Sequence, residues 1–186
     1  MKNPIVLVFA GPNGSGKSTV TKGFEIIGQY INADEIKRVH DCTDLEAAQY
    51  ATTLRETALN KKLDFTFETV LSTSRNVELL KKAKSLGYRV EVVFVLTADP
   101  KINVLRVAER VKKGGHNVPE DKIISRYYKS INNLSVLLKF ADITWVVDNS
   151  TDKAELIVYS KDNQIEIKET MLWNAERINK LLLGEI

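Results

Sequence analysis

The chain has 186 residues, of which 44% are hydrophobic and 27% are charged, and its formal net charge is +3. This length suits one α/β domain with its own core and is short for two. The basic residues are scattered among acidic ones, so the composition gives little support to nucleic-acid binding.

The sequence also predicts where the protein works. No segment approaches the run of about 18 apolar residues that spans a bilayer. The first four residues lead directly into an apolar run, which leaves no room for a signal peptide. The one cysteine, Cys42, cannot form an internal disulfide, which agrees with a reducing compartment. We therefore expect a cytoplasmic protein with no membrane partner.

The most informative segment reads Gly-Pro-Asn-Gly-Ser-Gly-Lys-Ser-Thr and follows the apolar run at residues 5–10. It matches G-x-x-x-x-G-K-[ST], the phosphate-binding loop, and lies between a buried strand and a helical stretch, as that loop does. Lys17 is expected to reach the β- and γ-phosphates, and the Ser18 hydroxyl to bind Mg²⁺. The predicted nucleotide-binding residues of the loop are Gly11, Pro12, Asn13, Gly14, Ser15, Gly16, Lys17, Ser18 and Thr19.

Strands and helices are predicted to alternate after the loop. Helices are expected at about residues 17–26, from 33, 44–62, 75–86, 99–113, 119–138 and from 171, and strands at 29–32, 63–69, 88–96 and 143–147. Two alternating runs at 155–159 and 164–168, joined by Lys161-Asp162-Asn163, predict a β-hairpin.

This alternation predicts an α/β fold, the P-loop NTPase three-layer sandwich, with a parallel five-stranded core sheet and helices on both faces. A helical lid is expected at about residues 106–126, and the C-terminal hairpin and helix at about 151–186. The whole chain is predicted to form a single P-loop kinase-like domain.

Carboxylates follow the second and third predicted strands. Ligands in such sheets bind beyond the carboxyl ends of the strands, so Lys17, Asp34 and Glu68 are expected in one cleft. Asp34 is the candidate base for an attacking hydroxyl, and a helix N-cap is its alternative role. Glu68 is expected to contact a substrate hydroxyl or a water on Mg²⁺. Thr69 and Arg75 are further substrate candidates, with ordinary loop residues as the alternative.

The predicted lid carries the basic side chains. Arg106 and Arg110 are four positions apart and share one helix face, and Arg126 follows the Gly114-Gly115 break. Guanidinium groups that close over the phosphates would stabilise charge in the transition state, whereas a solvated basic face is the plain alternative. Asn149, after the fifth strand, is expected to contact the base of the nucleotide or to belong to a plain turn.

Taken together, these segments resemble the zeta-toxin family of P-loop kinases, and most of all its short stand-alone members, often labelled predicted ATPases. The resemblance covers about residues 4–150. It rests on Gly11 to Thr19, Asn32-Ala33-Asp34, Phe67-Glu68-Thr69, Arg106 to Pro119 with Arg126-Tyr127, and Asp148-Asn149-Ser150.

The resemblance implies a kinase that uses ATP and Mg²⁺, with Lys17 and Ser18 at the nucleotide and metal, and Asp34 as the base. It also implies Glu68 beside the acceptor and Arg110 and Arg126 as lid arginines. Toxin members phosphorylate a sugar hydroxyl of UDP-N-acetylglucosamine, and an antitoxin protein is the candidate partner that they imply. This chain is shorter than the full toxins, whose additional C-terminal helices help to build the sugar-nucleotide pocket.

Three functions remain open from the sequence. The first is a small-molecule kinase with a hydroxyl acceptor such as UDP-N-acetylglucosamine or a related sugar nucleotide. The second is a kinase for a nucleoside, an antibiotic or a polynucleotide end. The third is an ATP-binding switch that transfers phosphate only to water.

Overall fold

A computed structural model describes residues 3–162 and 164–186 of the chain. Strands and helices alternate along it, as the sequence predicts. The strands of the described residues are β1 (Ile5–Ala10), β2 (Gln29–Ile31), β3 (Phe65–Thr69), β4 (Arg89–Leu96), β5 (Ile143–Asp148), β6 (Glu155–Lys161) and β7 (Gln164–Ile167). Their helices are α1 (Lys17–Val20), α2 (Ala33–His40), α3 (Asp44–Lys61), α4 (Ser74–Ser85), α5 (Pro100–Lys112), α6 (Glu120–Leu137) and α7 (Ala175–Leu183).

All these strands form one sheet in the order β2-β3-β1-β4-β5-β6-β7. The first five are parallel, which confirms the predicted core. The predicted hairpin extends the same sheet, because β6 pairs antiparallel to β5 and β7 pairs antiparallel to β6. The sheet therefore has seven strands among the described residues instead of five. Asn163, in the predicted hairpin turn, lies outside the described residues.

The two faces of the sheet are covered unequally. On one face, Val8, Phe67 and Phe94 join a large buried cluster with Leu80 of α4 and Tyr127 of α6. On the other face, a smaller cluster is covered by the segment that follows the phosphate-binding loop; its members are Leu7, Phe9, Val93 and Val95, packed by Val20, Phe24 and Ile27. Both faces of β1 are therefore apolar, and burial on both sides explains its unbroken apolar sequence.

The first helix is shorter than predicted. The sequence pattern gave a helix over residues 17–26, but α1 is followed by a 3₁₀ turn at Thr21–Gly23 and then by Phe24 in an extended conformation. Three β-branched residues in succession and a glycine weaken the helix there. Phe24 also leaves the helix direction to pack edge-on against Phe9 and Trp145, at ring-centroid distances of 5.8 and 5.9 Å.

No helix among the described residues combines the length and apolar character that crossing a membrane requires.

Candidate active site

A cleft of about 430 Å³ opens beyond the carboxyl ends of β1, β2 and β3. These three strands are neighbours in the sheet, so the segments that follow them meet at one edge. Its lining residues come from these segments and from α5: Asn13, Gly14, Gly16, Lys17, Ser18, Asn32, Ala33, Asp34, Glu68, Thr69, Val70, Arg106 and Arg110.

Two glycines of the loop occupy positions that another residue could not. Gly14 and Gly16 have φ angles of +78° and +83°, in the left-handed region. A Cβ atom at Gly14 would lie 2.5 Å from the Asn103 carbonyl oxygen, and one at Gly16 would lie 2.2 Å from Nδ2 of Asn149. Gly16 also precedes α1 without a capping side chain, so the first N–H groups of that helix remain available to an anion.

Two asparagine side chains hold the loop from behind. Nδ2 of Asn103 donates to the Asn13 carbonyl at 2.7 Å, and Nδ2 of Asn149 donates to the Ser15 carbonyl at 2.9 Å. Asn103 is fully buried, and its Oδ1 accepts a hydrogen bond from the Thr97 hydroxyl. These two bonds fix the orientation of the Asn13 and Ser15 carbonyls behind the loop. Asn149 thus supports the loop and does not line the cleft.

Lys17 lies on the cleft floor and is bonded to the loop itself. Its Nζ donates to the Gly11 carbonyl at 2.7 Å and to the Pro12 carbonyl at 3.1 Å. Burial lowers the pKa of Lys17 to about 8, although the nearby carboxylates of Glu68 and Asp34 act in the opposite direction. The lysine charge is therefore sensitive to pH near 8.

Asp34 is not the cap of its helix. The cap is Asn32, whose Oδ1 accepts the N–H of Asp34 at 2.8 Å, and Asp34 lies in the first turn of α2. The capping role considered for Asp34 is thus wrong. Its carboxylate is left for the cleft, where Asp34 faces the same space as Lys17 and Ser18.

Glu68 is held by residues that the sequence analysis missed. The Tyr30 hydroxyl donates to the Glu68 carboxylate and accepts a bond from Nδ2 of Asn32 at 3.1 Å. Burial raises the pKa of Tyr30, and the bond to Glu68 adds to the effect, so the tyrosine remains a donor. One sequence signal could have indicated Tyr30. In an extended strand, residues two positions apart point to the same side, so Tyr30 and Asn32 share the side of the chain that leads to Asp34.

Two predicted lid arginines line the cleft. Nη1 of Arg106 donates to the Asn149 carbonyl at 2.7 Å, which fixes α5 to the loop after β5. Nη2 of Arg110 donates to the His116 carbonyl at 2.8 Å. Gly115 packs directly on this arginine, since a Cβ there would be 2.6 Å from Cγ of Arg110. Both guanidinium groups thus sit at the rim of the nucleotide site.

The third lid arginine reaches the loop from α6. Nη1 of Arg126 donates to the Asn13 side chain at 3.2 Å, although Arg126 is not among the residues that line the cleft. Arg126 therefore contacts the same loop residue that Asn103 holds from behind.

The remaining predicted residues are divided between the cleft and its surroundings. Thr69 lines the cleft, whereas Arg75 lies in a separate depression between α3 and α4. Thr19 is exposed to solvent and is not one of the residues that line the cleft. Three other predicted loop residues are buried and do not line the cleft, namely Gly11, Pro12 and Ser15.

The comparison with protein families agrees with this geometry. Residues 1–167 match the family model described as zeta toxin. The chain belongs to the zeta toxin family. The resemblance that the sequence motifs carry is confirmed, and with it the class of P-loop phosphotransferase.

One curated relative and two solved structures are similar to this chain. The chain is 30% identical over 133 residues to an uncharacterized protein of Haemophilus influenzae, an alignment that covers 68% of this chain and 94% of that protein. A chain of the AvrRxo1-ORF1:AvrRxo1-ORF2 complex with ATP superposes with a TM-score of 0.72 at 13% identity. A chain of the PezAT toxin-antitoxin system of Streptococcus pneumoniae superposes with a TM-score of 0.61 at 19% identity.

These structural matches cover nearly all of this chain. The AvrRxo1 match covers 99% of this chain but 65% of its neighbour, so the chain spans less than two thirds of that protein's length. The PezAT match covers 100% of this chain and 86% of the other. At these identities the likeness shows the fold.

Proposed function

We propose that this protein is an ATP- and Mg²⁺-dependent kinase that transfers the γ-phosphate to a hydroxyl group of a small molecule. The observation that carries the proposal is the position of Asp34. Its carboxylate does not cap α2, and Asp34 lines the same cleft as Lys17 and Ser18. A carboxylate beside the phosphate-binding loop can accept the proton of an attacking hydroxyl, which supports the proposal.

The loop fits the triphosphate of a nucleotide. The close approaches at Gly14 and Gly16 hold the backbone in a shape that aims N–H groups at an anion. The hydroxyl of Ser18 is the candidate protein ligand for Mg²⁺, which supplies charge neutralisation on the phosphates when it is bound. The ATP in the AvrRxo1 complex supports the choice of nucleotide.

The chemistry then needs four actions from this chain. The loop N–H groups and Lys17 hold the phosphates, and Arg110 stabilises the charge that develops on the transferred group. Asp34 takes the proton as the acceptor oxygen bonds to the γ-phosphorus. The bond from that phosphorus to the β,γ-bridging oxygen breaks, and ADP leaves with the electron pair. Glu68, held by Tyr30, orients the acceptor hydroxyl.

A sugar nucleotide such as UDP-N-acetylglucosamine is the leading acceptor, since it is the substrate of the toxin members that the motifs resemble. A nucleoside, an antibiotic or a polynucleotide end is the alternative. An antitoxin protein is proposed as a partner on the example of the PezAT system, which is a toxin-antitoxin system.

The test is ADP release from ATP and Mg²⁺ with each candidate acceptor and with a fractionated cell extract. We expect release to depend on one acceptor, whose mass increases by one phosphate, and to fall at least about 100-fold in Asp34→Asn. ADP release that is independent of any acceptor and unchanged in Asp34→Asn would assign the protein to the ATPase switches instead.

A further inference from the structure

A second depression of about 350 Å³ lies between α3 and the first turns of α4. It adjoins the active-site cleft, because Nδ2 of Asn76 on its wall donates at 2.6 Å to the hydroxyl of Thr69, which lines the cleft. Its lining residues include three cations and two carboxylates: Thr52, Arg55, Glu56, Leu59, Arg75, Asn76, Glu78, Leu79 and Lys82.

Arg55 is the unusual member of this set. It is only 8% exposed, yet no carboxylate of the described residues forms an ion pair with it. Nη2 donates to the Thr52 hydroxyl at 3.0 Å, and the guanidinium lies 5.1 Å from the centroid of the Phe67 ring. Its Nε is buried without a hydrogen-bond partner in the described part of the chain. A buried cation with an unpartnered N–H and no ion pair is costly, and a bound anion would reduce that cost.

The neighbourhood adds to this positive charge. Burial lowers the pKa of Arg55, and the charge of Arg75 lowers it further, whereas the nearby Glu56 carboxylate acts in the opposite direction. Glu78 does not neutralise them fully, because its carboxylate is bonded to Lys81 at 2.9 Å. Two cations that repel each other across one depression favour an anion between them.

The start of α4 points to the same chemistry. Thr73 makes no side-chain capping bond, and the first turn of this 12-residue helix contains no acidic residue. Arg75 lies in that turn. Uncapped N–H groups and a guanidinium form a favourable environment for an anion.

We propose that this depression binds a phosphate group, with Arg55 and Arg75 as its cationic ligands. The group comes either from the acceptor, whose hydroxyl then enters the cleft past Thr69, or from free phosphate. The first source rests on the proposed kinase function, whereas binding itself does not.

The binding test uses inorganic phosphate and calorimetry, with the nucleotide site filled by a non-hydrolysable ATP analogue and Mg²⁺. We expect phosphate to bind to the wild-type protein and Arg75→Gln to weaken that binding at least about tenfold. Arg75 is exposed, so this variant should fold, and Arg55→Gln tests the buried ligand. Arg38→Gln removes an exposed arginine of α2 and should change nothing. Absent binding, or binding that neither variant weakens, would overturn the proposal.

The kinetic test separates the two sources. N-acetylglucosamine 1-phosphate and unphosphorylated N-acetylglucosamine are compared as acceptors in the wild type and in Arg75→Gln. If the acceptor supplies the phosphate, its kcat/KM should exceed that of the plain sugar at least about tenfold, and Arg75→Gln should remove the difference. If free phosphate is the source, both sugars behave alike while calorimetry still detects phosphate. Failure of the kinase function abolishes turnover of both sugars and leaves the calorimetric result intact.

Discussion

The two walls of the cleft are constructed differently. On the nucleotide wall, the backbone N–H groups of the loop are candidate ligands beside Lys17 and Ser18, and the carbonyls of Asn13 and Ser15 are fixed by asparagine amides. On the acceptor wall, the groups are side chains: Asp34 and Glu68, the latter bonded to Tyr30. The proposed nucleotide site therefore rests largely on main-chain groups, whereas the proposed acceptor site rests on side chains.

Mutations in the two walls should therefore affect different properties of the protein. Substitutions behind the nucleotide wall should act through loop shape and change ATP affinity. Substitutions on the acceptor wall and the lid should leave ATP affinity intact and change turnover.

The lid should give the largest effect. Arg110→Ala removes a cleft-lining arginine that is proposed to stabilise the transferred phosphate, and we expect kcat to fall about 10³-fold or more. Lys112→Ala, an exposed cation on the same helix, is the matched control and should retain activity. Steady-state kinetics at saturating ATP measures both variants. A loss below tenfold for Arg110→Ala would return α5 to the role of a solvated basic helix.

The support of the loop should give the next effect. Asn103→Ala removes the amide that holds the Asn13 carbonyl, at a cost of about 1–3 kcal/mol, and should weaken ATP binding at least about tenfold. Asn133→Ala removes a comparable bond, from its Nδ2 to the Leu71 carbonyl at 2.8 Å, away from the loop. Calorimetric titration with ATP should distinguish the two, while thermal melts report their stability. Equal ATP affinity in both variants would contradict the division of the walls.

The pH dependence of ATP binding should report on Lys17. Bound phosphates favour the charged lysine, so its pKa must be higher in the complex than the value of about 8 in the free protein. Affinity should be constant between pH 7 and about 8 and then fall by up to about tenfold per pH unit, because binding must then take up a proton. Lys17→Met should bind more weakly and lose this slope. A flat wild-type profile up to pH 9.5 would show that Lys17 remains charged throughout.

The smallest effect is expected at the hydroxyl of Tyr30. Tyr30→Phe frees the Glu68 carboxylate, and the acceptor KM should rise about threefold to tenfold while the affinity for ATP is unchanged. Tyr50→Phe alters an exposed tyrosine of α3 and serves as the control. Acceptor titrations at saturating ATP measure the change. If the ATP affinity falls instead, Glu68 belongs to the nucleotide wall.

Much of the fold could be predicted because its signals are local. Apolar runs separated by helical periodicity gave the five parallel strands of the core. The length of α1 was wrong, since packing of Phe24 on Phe9 and Trp145 is a tertiary contact. Local patterns also could not predict that the hairpin pairs with β5, because the pairing of strands depends on tertiary contacts.

The residues of the site also differ in whether the sequence alone could identify them. The loop was found because its residues are contiguous and its spacing has one physical use. The roles of Asn103 and Asn149 could not be found, since their partners are 90 and 134 positions away. Arg55 could not be identified from the sequence either, because it is distinguished by its burial without an ion-pair partner among the described residues. Local patterns therefore identify the nucleotide wall, and the structure is needed for the rest.

The proposed activity of this cleft is transfer of the γ-phosphate to an organic hydroxyl, with Asp34 as the base. The most direct measurement follows ATP labelled in its γ-phosphate through a single turnover, in the wild type and in Asp34→Asn. We predict that the label moves to an organic product in the wild type, and that this transfer slows at least about 100-fold in the variant while its ATP affinity changes less than about threefold. Label that appears only as inorganic phosphate, at the same rate in both proteins, would contradict the account.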